Sequence, residues 1–213
     1  MEDVLDVYQR PYDPKRPVVC LDECSKELRD TPRGTLPMEP ADIFHPALPA
    51  REDYEYARHG TANVSLAVEP LAGRRFVKVT HRRTAIDLAE MLRYLVDEVY
   101  ADAEKIVLVT DNLNTHHEGA LYELLCPEHA RRIARRIEWH YTPEHGSWLN
   151  MAECELSVLM RQCLDRRMPL KEVIAEQVHL WQQERNNNQA TINWQFTTND
   201  ARVKLRRLYP QMK

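Results

Sequence analysis

Residues 105–117 read KIVLVTDNLNTHH, a short apolar run that stops abruptly at Asp111. A run of this length, rich in Val and Ile, is typical of a buried β-strand. A second such run, PVVCLDEC at residues 17–24, carries Asp22 near its end. Val18, Cys20 and Asp22 share one face of that strand by the two-residue period. Both runs therefore predict a buried strand that ends in a carboxylate.

The segments around these two runs predict the rest of the sheet and its helices. Residues 54–69 and 74–81 alternate in polarity around a Gly-containing turn, which predicts an antiparallel hairpin. Thr84 and Asp87 have the spacing of a helix cap. This order predicts an α/β fold with a mixed sheet flanked by helices. The remaining predicted elements are helices at 116–125 and 127–135, a strand at 136–141, and long helices at 147–166 and from 170, the first of them capped by Ser147.

The length of 213 residues fits one large domain with additions at both ends. We expect an N-terminal arm at 1–16, a catalytic domain at 17–185 and a tail with a short helix at 186–213. Prolines are concentrated in residues 25–52, which we expect to form a long irregular loop inserted into the domain.

Composition excludes several classes of protein. No apolar run approaches the ~18 residues of a membrane span, and no secretory signal opens the chain, so we expect a cytoplasmic protein. The five cysteines include no Cys-x-x-Cys pair, which argues against a zinc ribbon and a disulfide framework. The net charge of −4 argues mildly against a dedicated nucleic-acid module.

Glu153 is the third acid in an unusual setting. Helical spacing places Leu149, Leu156 and Met160 on its face, whereas Glu155 is rotated away and is expected to be solvated. Each acid has a structural alternative: Asp111 could cap a helix, and Glu153 could pair with an arginine at the edge of the core. Three such carboxylates together require a cation if they are to stay ionised. Oxygen ligands of this kind favour two Mg²⁺ or Mn²⁺ ions acting on a phosphodiester.

Three blocks resemble the catalytic blocks of DDE transposases of the mariner superfamily, in its bacterial insertion sequence 630 branch. They are CLDE at 20–23, TDNLNTHH at 110–117 and HYTPEHGSWLNMAE at 140–153. The resemblance implies a ribonuclease-H-like fold, with Asp22, Asp111 and Glu153 as the metal ligands. It also implies cleavage at the ends of a mobile element, strand transfer at TA dinucleotides and DNA as partner. Members of this family carry helix-turn-helix modules ahead of the catalytic domain. Here such a module is expected either on a separate or frameshifted polypeptide or to be missing because the copy is truncated, and a dimer on DNA is expected.

Other residues near these blocks are candidate contacts with DNA or with the active site. Of three basic clusters, the one between residues 74 and 83 is favoured as a DNA contact over those at 131–136 and 202–207. The plainer interpretation of each cluster is a solvated charged face. The basic candidates are Arg74, Arg75, Lys78, Arg82 and Arg83. The candidates beside the acids are Asn112, His116, His145, Trp148 and Asn150.

Three hypotheses about function remain open at this point. The chain is a transposase catalytic domain, a ribonuclease-H-like metal nuclease without strand transfer, or an inactive fragment that acts only in assembly. The three acids favour an enzyme, since a decayed centre has no need to keep them.

Overall fold

A five-stranded sheet forms the centre of the computed structural model, which describes residues 1–41, 43–52, 54–144 and 146–209. The strand order is β5-β4-β1-β6-β7, with a separate two-stranded sheet of β2 and β3. The strands are β1 Val18–Asp30, β2 Thr35–Leu36, β3 Arg51–Glu52, β4 Ala57–Glu69, β5 Arg74–Thr80, β6 Ile106–Thr110 and β7 Ile137–Tyr141.

Helices cover both faces of the sheet. They are α1 Glu2–Tyr8, α2 Ala85–Tyr94, α3 Ala120–Leu124, α4 Pro127–Ala134, α5 Met151–Leu159, α6 Lys171–Asn187 and α7 Thr198–Lys204. Single π-helical turns extend α2 over Leu95–Val99 and α5 over Met160–Leu164, and 3₁₀ turns occur at Ser147–Leu149 and Arg206–Leu208. Within the described residues, no helix combines the length and the apolar character that a membrane crossing requires.

The sheet is mixed, as the sequence predicts. Strands β1, β4 and β5 pair antiparallel, whereas β1, β6 and β7 pair parallel. One face packs against α1, α5, α6 and α7, and the opposite face packs against α2, α3 and α4. This arrangement confirms the α/β prediction and is consistent with a ribonuclease-H-like fold.

Alternation along β1 divides its side chains between the two cores. Cys20 lies in the core beneath α5, whereas Val19 and Leu21 lie in the core beneath α2. The continuous apolar run at 17–24 therefore belongs to a strand that is buried on both faces. The hairpin of β4 and β5 and the capping box of Thr84 and Asp87 are also confirmed.

Three boundaries differ from the prediction. Strand β1 continues through residues 25–30 because β4 pairs with it as far as Asp30, so the irregular connection begins later. Helix α3 begins at Ala120 rather than at 116. Helix α5 begins at Met151 and is capped by Asn150, whereas Ser147 starts a separate 3₁₀ turn.

Helix α1 is part of the packed structure. Val4, Leu5 and Val7 are buried in the core beneath α5, and the Tyr8 hydroxyl donates to the carbonyl of Leu149 at 2.7 Å. The C-terminal segment contains the short helix α7, where Arg202 forms two hydrogen bonds with Glu2. The two ends of the chain are thereby held on one side of the sheet.

Candidate active site

Asp22 and Asp111 follow directly from the pairing of two parallel strands. Cys20 of β1 is the partner of Val109 of β6, and each acid lies two residues further along its own strand. Since parallel strands keep their register, the two carboxylates lie side by side at the edge where the β1–β6 ladder ends, although β1 itself continues to Asp30. The Asp22 side chain is almost fully buried, and that of Asp111 is one-quarter exposed.

Asn150 attaches the start of α5 to this edge. Its side-chain Nδ2 donates to the carbonyl of Leu21 at 2.8 Å and lies 3.4 Å from Asp22 Oδ2. Its Oδ1 accepts from the backbone N–H of Ala152, which makes it the N-cap. Asn150 is completely buried, so the first turn of α5 is held beside Leu21 and Asp22 of β1.

Glu153 lies in that first turn, and its environment corrects the prediction. The carboxylate is exposed rather than surrounded by core residues, and Ser147 Oγ approaches it at 3.5 Å. Because the helix begins at Met151, its buried face carries Ala152, Glu155, Leu156 and Leu159. Glu153 therefore projects from the N-terminal end of α5 toward solvent.

Glu155 is the buried acid of α5, and the expectation that it is solvated was wrong. Its carboxylate accepts from Nε and Nη2 of Arg75, both at 3.0 Å, and from Nε of Arg185 at 3.0 Å. The side chain of Arg75 is completely buried. The arginine partner that we considered for Glu153 thus belongs to its neighbour two residues along.

The charges of Asp111 and Glu153 act on Asp22, the most buried of the three predicted acids. Burial raises the pKa of Asp22 from 3.8 to about 6, a backbone hydrogen bond from Glu23 opposes this rise, and the charges of Asp111 and Glu153 add to it. A carboxylate in this position favours a proton or a nearby cation.

His116 is buried next to Asp111, with Glu23 on its other side. Its Nδ1 lies 2.5 Å from Asp111 Oδ1 and 2.9 Å from Thr110 Oγ1, and its Nε2 lies 3.9 Å from Glu23 Oε1. Burial lowers the pKa of His116, but the contacts with Asp111 and Glu23 outweigh it and raise the pKa from 6.5 to about 9.

The comparison with known families agrees with this geometry. A family model described as "DDE superfamily endonuclease" matches residues 17–174, well over half of the chain and all of the sheet edge just described. The chain belongs to the DDE superfamily endonucleases. No curated protein matches it.

A cleft opens in the DDE domain at this edge. Its volume is about 490 Å³, and its lining includes Asp111, Asn112 and Ser147. Trp148 lies beside it, 43% exposed, with an edge-to-face contact to Phe196. His145, which the sequence suggested as a contact, lies outside the described residues.

The basic candidates of the DDE domain divide into buried and surface residues. The prediction that Arg75 contacts DNA is wrong, because its side chain is enclosed and paired with Glu155. Arg74 pairs with Glu69, Lys78 with Glu90 and Arg83 with Glu23, all with partly exposed basic side chains. Arg82 is exposed.

The donors at the edge suit a hard divalent cation. Asp22, Asp111 and Glu153 offer carboxylate oxygens, the type that Mg²⁺ and Mn²⁺ prefer, and the pKa of Asp22 is raised mainly by burial, with a smaller contribution from the charges of Asp111 and Glu153. Within the described ranges, no three His, Cys, Asp or Glu side chains stand close enough to chelate one ion.

Glu23 and His116 lie beside the candidate acids in the structure. His116 is one of the candidate contacts that the sequence suggested, whereas Glu23 is not among them. The signal was available in part: in a strand with period-two alternation, Glu23 is a charge that points toward the core beneath α2.

Proposed function

We propose that the chain is the catalytic domain of a DNA transposase that hydrolyses phosphodiester bonds at the ends of an element and joins the freed 3′-hydroxyl to target DNA. The observation that carries this proposal is the placement of Asp22, Asp111 and the first turn of α5 at one edge of the sheet. Asp22, Asp111 and Glu153 are the proposed ligands of two divalent ions.

Each residue has a separate task in this proposal. Asp22 accepts from the N–H of Glu23 at 2.7 Å through Oδ1, and its Oδ2 lies 3.4 Å from Asn150 Nδ2. Asp111, just after β6, and Glu153, in the first turn of α5, would supply the other two carboxylates. Mg²⁺ or Mn²⁺, when bound there, supplies Lewis acidity for the attacking and leaving oxygens of the phosphodiester.

The narrower family follows from the resemblance of the three sequence blocks. Their likeness to the insertion sequence 630 branch of the mariner superfamily supports strand transfer, with insertion at TA dinucleotides. The match to DDE superfamily endonucleases supports the coarser statement of nuclease chemistry on DNA.

A strand-transfer assay tests the proposal. The protein, a duplex with pre-cut element ends and a supercoiled target plasmid are combined in Mg²⁺, and joined products are counted by sequencing. We expect joining that Asp22→Asn, Asp111→Asn and Glu153→Gln each reduce by at least about 100-fold, since each removes a charge that metal binding needs.

Glu128→Gln, an exposed acid in the first turn of α4, is the matched control and should join ends as the wild type does. Cleavage of DNA without joining of the ends to the target would indicate a metal nuclease that lacks strand transfer. Activity that survives all three substitutions would overturn the assignment of the site.

A further inference from the structure

Asp111 contacts a buried histidine, His116. Its Oδ1 is 2.5 Å from His116 Nδ1, which also lies 2.9 Å from the hydroxyl of Thr110. The His116 side chain is fully enclosed, whereas that of Asp111 is one-quarter exposed. One oxygen of Asp111 is therefore in close contact with the imidazole, and Asp111 borders the cleft.

Glu23 lies on the far side of the same imidazole. Its side chain is only 2% exposed, its Oε1 accepts from Ser65 Oγ at 3.2 Å, and its Oε2 lies 3.5 Å from Arg83 Nε. Glu23 directly follows Asp22 but points to the opposite face of β1. The cluster thus connects the strand that carries Asp22 with the strand that carries Asp111.

Burial of such a cluster is expensive, and its hydrogen bonding is incomplete. Three enclosed atoms have no well-aligned hydrogen bond within the described part of the chain: Asp111 Oδ1, His116 Nε2 and Glu23 Oε2. Replacing a buried charged cluster by apolar side chains is often neutral or stabilising. The cluster is therefore poorly explained as a device for stability alone.

We propose that His116 and Glu23 are positioning residues that hold the Asp111 carboxylate in the orientation needed for metal binding. The inference rests on the proposed function, because it takes Asp111 as a ligand. His116 restrains one oxygen of Asp111, and Glu23 restrains the imidazole from behind. Outer partners of this kind orient ligands, and their loss typically weakens metal affinity 10–100-fold.

Calorimetric titration with Mn²⁺ alone, without DNA, tests this inference on the full chain. We expect His116→Ala and Glu23→Gln to weaken Mn²⁺ affinity by about 10–100-fold. His116→Asn should bind more tightly than His116→Ala, since its amide nitrogen can occupy the place of Nδ1. Thermal unfolding in EDTA identifies any variant that fails to fold. Glu23→Gln preserves the shape of the side chain, so the inference can be tested even if His116→Ala does not fold.

His140→Ala is the matched control, because His140 is also a buried histidine between two carboxylates. Its Nδ1 lies 2.7 Å from Asp3 and its Nε2 lies 3.1 Å from Glu138, outside the proposed site. We expect His140→Ala to keep the Mn²⁺ affinity of the wild type even if its unfolding temperature falls.

The outcomes separate the two proposals. If Asp111→Asn loses Mn²⁺ binding while His116→Ala and Glu23→Gln bind as the wild type does, positioning is overturned and the proposed function stands. If the wild type binds no Mn²⁺, or Asp111→Asn binds it equally well, both proposals are overturned.

Discussion

Arg75 and Glu155 form a fully enclosed, two-pronged ion pair between residues 80 positions apart in the chain. It connects β5 to α5, and Arg185 extends it to α6. Asn186 adds to this junction by bonding the backbone N–H and carbonyl of Arg75. The pair fixes the rotation of α5, because only one helical phase directs Glu155 inward.

Breaking this pair should destabilise the protein strongly. Glu155→Gln leaves the Arg75 guanidinium buried without its counter-charge, and we expect a loss of about 3–5 kcal/mol in the free energy of unfolding. Urea denaturation in EDTA measures it. Glu153→Gln, two residues away and exposed, is the control and should change stability by less than about 0.5 kcal/mol. Equal stability of the two variants would contradict the assigned helix phase.

Asp22 should make the metal-free protein less stable as pH rises. Its pKa is raised from 3.8 to about 6 in the folded state, so the contribution of the protonated form is complete below pH ~4 and is lost as pH rises through 6. Asp22→Asn removes this loss, and we expect it to be more stable than the wild type by about 1–3 kcal/mol at pH 7.5 in EDTA.

Chemical denaturation of both proteins at pH 4 and pH 7.5 checks this expectation. The difference between them should shrink toward zero at pH 4. A variant that is less stable than the wild type at pH 7.5 would show that Asp22 gains more from its hydrogen bond with Glu23 than it loses by burial.

Asn150 should matter for both stability and chemistry. Asn150→Ala removes the N-cap of α5 and leaves the buried carbonyl of Leu21 without its side-chain donor, which should cost about 1–3 kcal/mol. DNA cleavage should also fall, because Glu153 loses its anchor to β1. Thr197→Ala, which removes the capping box of α7, is the control. We expect it to lower the free energy of unfolding as well, but to leave DNA cleavage per folded molecule unchanged.

Arg82 should contribute to binding DNA through phosphate. Because its side chain is exposed and follows β5, we expect Arg82→Gln to lower the slope of log affinity against log salt concentration by about one. Fluorescence anisotropy with a labelled duplex at several salt concentrations measures the slope. Arg131→Gln, on the surface of α4, is the control, and an equal effect there would indicate a diffuse charge contribution rather than a local contact.

The sequence alone predicted the strands of the sheet and placed Asp22 and Asp111 at the ends of two apolar runs within it. These runs are local signals, because apolar content depends on neighbouring residues only. Parallel pairing then brings their carboxyl ends to one edge. The capping box of Thr84 and Asp87 is equally local, and the structure contains it.

Only the tertiary structure decided which acid of α5 is buried and what supports Asp111. The phase of α5 depends on its start at Met151, and that start depends on a bond from Asn150 to Leu21, 129 positions away. The burial of Arg75 depends on Glu155, and the proposed role of His116 depends on Glu23 of β1. These contacts join residues distant in the chain, and the energy of burying a charge is settled by such partners rather than by local pattern.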